Sequence, residues 1–320
     1  AGLPPVKRRK RMKKRLAFLT LVVMLFAVGC AKAPAEPVNI AALKGPTGMG
    51  ISYMMDDTAK YNVELQDAPD VVVGKFVNGE IDIAAVPLNL AAVLYNKTEG
   101  NVVLLNLDTL GVLYIVENGE TINSLADLAG KTIYASGEGA TPQYVLDYLL
   151  AQNGLTDQVK VEYVGEHTAL AAMVASGEAQ IALLPEPFVS AVTVKNPDVR
   201  VALDLNSAWE AASGTKLVMG VYIASRTFYN EHPDQVKAFL ADYAASVEKV
   251  NTASDAAQKI ADLGIVGSAA IAQQAIPRSY IVSIAGDEAK NAASAVLNVL
   301  FTANPKSVGG KLPGDDLYAK

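Results

Sequence analysis

Short apolar runs alternate with polar, helix-patterned stretches along most of the chain. The apolar runs predict strands over residues 38–43, 81–86 and 102–107, and again over 132–135, 159–163, 181–184, 199–203 and 217–224. Between them the pattern predicts helices over about 51–61 and 70–77, from 90 to Tyr95, from Pro142 to 150, and over 169–175. Pro142 suits a first helical turn, where its missing N–H costs nothing. Residues 121–128 read as a capped helical turn closed by Ala129 and Gly130. Residues 111–117 read as an apolar segment crossing between two halves, with 217–224 as the return crossing. The polar, small-residue stretch 206–215 carries no element in this reading. After Ser225 the tail reads as helical. Val236, Phe239, Leu240, Tyr243, Val247 and Val250 fall on one helix face, as do Ala292, Val296, Leu297 and Leu300.

One unit occurs twice. Residues 78–87 read NGEIDIAAVP and residues 176–185 read SGEAQIALLP, identical at five of ten positions. Each is preceded by a strand, a glycine-rich loop and a helix: NIAALKGPTGMGISYMM at 39–55 and KTIYASGEGATPQYVLDYLL at 131–150. Strand–loop–helix units of this kind predict an α/β fold whose ligand loops follow the carboxyl ends of strands. Two copies predict two facing lobes with a cleft between them.

Length supports two domains, since 320 residues exceed one ordinary core. A single cysteine allows no intrachain disulfide. Residues 1–29 hold eight Lys or Arg and no acid. From residue 30 onward 19 basic residues face 33 acidic ones, a net of −14. An acidic body argues against a nucleic-acid partner.

The basic run KRRKRMKKR at 7–15 is followed by LAFLTLVVMLFAV at 16–28, then Gly29 and Cys30. That order is a secretory signal, and its apolar part is too short to span a bilayer comfortably. Residues 27–30 resemble a bacterial lipobox, which makes Cys30 the lipidated first residue of the mature chain. Residues 30–37 read as a flexible Ala/Pro tether.

Candidate chemistry lies in the loops. Glycine permits close backbone approach to a ligand, and helix N-termini present free N–H groups. The loops hold Pro46, Thr47, Gly48 and Met49 in the first copy, and Gly137, Glu138, Gly139, Ala140 and Thr141 in the second. Leu88, Asn89 and Glu186 follow the matched strands, Trp209 precedes the return crossing and Met219 lies within it. None of this matches a dinucleotide fingerprint or a P-loop. Glu138 and Glu186 point to a ligand carrying an amine or an N–H-bearing heterocycle. His167 and His232 read as surface or capping residues, and no metal-ligand spacing, nucleophile elbow or cofactor motif is present.

The run SLADLAGKTIYASGEGATPQYVLDYLLAQNGL, with ASGEAQIALLPEPF and PKSVGGKLPGDDLY, resembles bacterial ABC-transporter substrate-binding proteins of the nitrate/sulfonate/taurine group, which also includes binders of thiamine-pyrimidine precursors. The resemblance covers residues 38–320. It implies a two-lobed, type II periplasmic-binding α/β fold. Each lobe is then a mixed sheet flanked by helices, with lobe 1 at 38–110 plus 217–320 and lobe 2 at 111–216. It also implies a lipid-anchored, extracytoplasmic monomer that closes on a small molecule and delivers it to an ABC permease and its ATPase. The family's ligand loops map onto Pro46 to Met49, Leu88, Asn89, Gly137 to Thr141 and Glu186. No cationic side chain for an oxyanion stands in these loops. Two other readings remain on this fold: a thiamine-pyrimidine-synthesising enzyme and a ligand-sensing lipoprotein.

Overall fold

The computed structural model describes residue 2 and residues 36–320. The signal segment, Cys30 and most of the tether fall outside the described residues. All elements below lie in Pro37–Lys320, one compact unit.

Two mixed sheets organise this unit. The first contains β1 (Val38–Leu43), β2 (Tyr61–Gln66), β3 (Ile83–Pro87), β4 (Val102–Leu110), β10 (Val218–Ser225) and β11 (Ile281–Ile284), in the order β11-β4-β10-β3-β1-β2. The second contains β5 (Leu113–Asn118), β6 (Thr132–Ala135), β7 (Lys160–Tyr163), β8 (Ile181–Pro185) and β9 (Val199–Asp204), in the order β7-β6-β8-β5-β9. The duplication read from the sequence is visible as one pairing scheme. β1 pairs in parallel with β2 and β3, as β6 does with β7 and β8. Antiparallel β10 joins β3 to β4, as antiparallel β5 joins β8 to β9. In each sheet that antiparallel strand enters from the half carrying the other sheet. β11 is the addition peculiar to the first sheet.

Helices cover the sheets: α1 (Pro46–Ile51), α2 (Pro69–Val77), α3 (Leu88–Lys97), α4 (Thr141–Gln152), α5 (His167–Ser176), α6 (Phe188–Lys195), α7 (Leu205–Ser213), α8 (Arg226–Glu231), α9 (Pro233–Thr252), α10 (Ala256–Asp262), α11 (Ala269–Ala275) and α12 (Gly286–Ala303). Buried Val236, Phe239, Tyr243, Val247 and Val250 put the predicted face of α9 onto the first sheet's core.

Four expectations change. The helix expected from about residue 51 begins at Pro46, whose fixed φ suits the first turn. It ends at Ile51, and residues 61–66, expected to follow a helix ending at Tyr61, form edge strand β2. The apolar segment 111–117 is only in its first two residues a crossing. From Leu113 it is central strand β5, buried on both faces, which is why it reads as continuously apolar. The stretch 206–215 contains helix α7, capped by Asp204, whose carboxylate accepts from the Asn206 and Ser207 N–H groups. The tail includes a strand, β11, beside the expected helices.

Candidate functional site

Strand direction decides where ligand loops can meet. β1, β3 and β4 run the same way, so their carboxyl ends share one edge of the first sheet. β6, β8 and β9 do likewise in the second sheet. The chain passes from β4 to β5 through residues 111–112 alone, and returns from β9 through α7 to β10. These two short passages turn the carboxyl edges toward each other. The loops touch: a Cβ built on Gly45 would lie 3.6 Å from Pro187 Cδ.

Several loop residues expected at the ligand are in use by the fold. Pro46 is half-buried at the start of α1, and the Thr47 hydroxyl donates to the Leu43 carbonyl at 2.8 Å. Gly48 is a packing glycine. A Cβ there would approach the Leu43 carbonyl oxygen to 2.7 Å. Met49 and Leu88 are buried in the core. The Asn89 amide donates to the Ser307 carbonyl at 3.3 Å. Gly137 and Gly139 adopt positive φ, 83° and 73°, which β-carbon-bearing residues avoid, so both serve the turn. Glu138 is exposed, Ala140 is the N-cap of α4, and Thr141 is buried in its first turn. Trp209 is fully buried, its ring 4.8 Å from that of Tyr148. Met219 is half-buried beside Gly220 on β10. Of these residues, Glu186 reaches the other sheet through Arg278, and Thr47 lies two residues beyond Gly45, which meets Pro187.

Glu186 is fully engaged. It is 3% exposed and accepts from Arg278 Nε at 2.7 Å, the Ser190 hydroxyl at 3.0 Å and the Ser190 N–H at 3.1 Å. Burial pushes its carboxyl up, and the Arg278 guanidinium and Ser190 oppose that shift. Arg278 arrives from the short 3-10 turn Ile276–Arg278 before β11, so the ion pair ties the two sheets together. Around it, the Tyr114 hydroxyl donates to the Arg278 carbonyl at 2.7 Å, and the Tyr280 hydroxyl donates to Asp204 at 2.5 Å.

Sequence reasoning did not single out the other polar residues at these edges. Asp108 on β4 is fully buried, and neither carboxylate oxygen has a hydrogen-bond partner among the described residues. Burial raises its carboxyl to about 7. The Thr109 hydroxyl lies near enough to lower it in part, though outside hydrogen-bonding geometry. The acid stands inside the apolar strand VVLLNLDTL, and that break in pattern was the available signal. His167, expected at the surface, is half-buried at the start of α5. Its Nδ1 lies 2.5 Å from the Ser136 hydroxyl at the end of β6, and its ring lies 5.4 Å from that of Phe188. Burial lowers its imidazole, against a small opposing effect of Glu166. Nothing in the sequence marks Arg278 and Tyr280, because their segment reads as helical tail.

The fold has solved relatives. An ABC transporter protein from Parabacteroides distasonis superposes with a TM-score of 0.78 at 24% identity, covering 89% of this chain and 99% of that one. The periplasmic aliphatic sulphonate-binding protein SsuA of Escherichia coli gives 0.69 at 17%, covering 88% and 98%. The alkanesulfonate-binding protein SsuA of Xanthomonas axonopodis, solved bound to MOPS, gives 0.63 at 16%, covering 88% and 96%. At such identities the likeness is one of fold, the type II periplasmic-binding fold. A comparison with curated protein sequences finds no significant match. The family model described as "ABC transporter, phosphonate, periplasmic substrate-binding protein" matches residues 51–274, well over half of the chain. The protein with these facing strand edges thus belongs to the periplasmic substrate-binding proteins of ABC transporters, in the phosphonate-binding family.

Proposed function

We propose that the seam between the two carboxyl edges is where this substrate-binding protein takes up its small molecule, and that the sheets belong to two lobes which close on it. Lobe 1 comprises residues 38–110 and 217–320, and lobe 2 residues 111–216. The observation that carries this reading is the pair of short passages, residues 111–112 and α7, turning both strand edges inward. Opening requires movement at these passages and release of the Arg278–Glu186 tie, and ligand binding then shifts the balance toward the closed arrangement. The ligand leaves unchanged for a permease driven by its ATPase, from an extracytoplasmic monomer anchored to the cell membrane by lipid on Cys30.

Native mass spectrometry of protein purified without denaturation tests capture, because tight ligands co-purify. A melting-shift screen of amines, pyrimidines, sulfonates, phosphonates and amino acids complements it. A ligand at ~100 times its dissociation constant adds roughly 2.7 kcal/mol. No co-purified mass and no shift from any class would remove the capture reading. For the anchor, Cys30→Ser should leave the protein unprocessed or release it. A variant that stays with membranes after a high-salt wash would exclude lipid on Cys30 as the attachment.

A further inference from the structure

On that capture reading, the first sheet must offer the ligand its own polar contact. Asp108 lies two residues before the end of β4, on the edge that faces the second sheet. The Gly220 backbone packs directly against its carboxylate: a Cβ built there would lie 2.3 Å from Asp108 Oδ1 and 3.2 Å from Thr47 Cγ2. Asp108 thus stands next to Gly220, Gly220 next to Thr47, and the Thr47 loop reaches Pro187 through Gly45. These contacts lead without a gap from the acid to the second sheet's loop.

The surroundings of Asp108 are rich in unspent hydrogen-bonding capacity and poor in positive charge. The hydroxyls of Thr109, Tyr222 and Tyr243 are buried, and none has a hydrogen-bond partner among the described residues. Tyr222 lies two residues beyond Gly220 on β10 and so shares the face that meets Asp108, and its ring meets that of Tyr243 edge to face with centroids 4.8 Å apart. No basic side chain forms an ion pair with Asp108 among the described residues, whereas Arg278 compensates the equally buried Glu186. An isolated buried carboxylate is among the most costly groups a fold can keep. A protonated amine is its complement. It carries the missing charge and several N–H donors for the carboxylate and hydroxyl oxygens, and tyrosine faces favour it.

We propose that Asp108, with the hydroxyls of Thr109, Tyr222 and Tyr243, receives the protonated amine or N–H-donor end of the transported molecule. Asp108 is then the residue that sets ligand specificity on the first-sheet side. Glu186, already satisfied by Arg278, is not the acid that reads the ligand.

Calorimetric titration with isosteric probe pairs tests this on the purified protein and on Asp108→Asn. One pair is ethanolamine and ethylene glycol. The other is 2-aminoethylphosphonate and 2-hydroxyethylphosphonate. In at least one pair the amine should bind roughly 10-fold or more tightly than its hydroxyl partner. In Asp108→Asn, checked for cooperative melting, that ratio should fall to about one. Equal binding within both pairs by the unaltered protein overturns the inference, as does a ratio that survives in Asp108→Asn. If no probe binds while native mass spectrometry shows a co-purified small molecule, amine recognition at Asp108 is overturned and capture stands. If no probe binds and no such mass appears, both fall.

Discussion

Asp108 and Glu186 are both buried acids at facing strand edges, and the protein treats them in opposite ways. Glu186 accepts from three donors, one of them a guanidinium brought in from the other sheet. Asp108 has a glycine backbone against one oxygen and unpartnered hydroxyls around it. Burial raises both carboxyls, but only Glu186 has the countercharge and donors that oppose the shift strongly. A satisfied buried ion pair holds two parts of a fold in one arrangement. An unsatisfied one lowers stability unless a bound molecule completes it. The difference assigns Glu186 to holding the halves together and leaves Asp108 open for recognition.

The largest expected effect comes from breaking the satisfied pair. Arg278→Ala leaves Glu186 buried without its countercharge and should cost about 3–5 kcal/mol in urea unfolding at neutral pH. Arg278→Ala/Glu186→Gln should recover part of that loss. A single-variant cost below about 1 kcal/mol would show that the tie is not maintained in solution.

Next comes Asp108 itself, with a defined pH sign. Its folded carboxyl titrates at about 7, above the ordinary carboxylate value of 3.8, so the folded state holds the proton longer than the unfolded one. The contribution of the protonated acid to stability is full below about pH 4, declines as pH rises toward 7, and is gone above it. The groups facing Asp108, Tyr222 and Tyr243, stay neutral throughout that window because burial pushes their hydroxyls far up. Asp108→Asn should therefore be more stable than the parent by about 2–4 kcal/mol at pH 8 and nearly equal to it at pH 4. An unchanged pH profile would mean that Asp108 has a compensating partner in solution.

A somewhat smaller effect isolates the contact between Asp108 and the β10 backbone. Gly220→Ala drives a methyl into Asp108 Oδ1 and should cost about 1–3 kcal/mol. In an Asp108→Ala background most of that cost should disappear, since the colliding atom is gone. Purely additive costs would place the strain elsewhere.

The smallest effect lies at the rim. Tyr280→Phe removes the hydroxyl donated to Asp204 and should cost about 1 kcal/mol, because the site is partly exposed. Its effect should be coupled to that of Arg278→Ala, two residues away on the same segment, in a double-mutant cycle. Independence would separate the Tyr280 contact from the Glu186 tie.

What the sequence alone determined was the local and repeated part of this protein. Apolar runs bounded by glycine and proline marked most strands. The NGEIDIAAVP and SGEAQIALLP repeat marked two copies of one unit, and both copies are present with the same pairing scheme. Periodicity marked the buried face of α9. These features depend on near neighbours in the chain, so they can be read there. The edge strand β2 left no such mark, because its Asn, Glu and Gln side chains are solvated and its stability comes from pairing with β1. Nor could the sequence reveal which polar residues are compensated. Glu186 and Arg278 lie 92 positions apart, and only the passage of the chain between two sheets brings them together. Asp108 and Gly220 meet solely because β10 returns antiparallel beside β4. Burial and compensation are properties of neighbours distant in sequence. For that reason the tertiary structure alone decided that Glu186 binds the protein to itself and that Asp108 stands uncompensated at the seam.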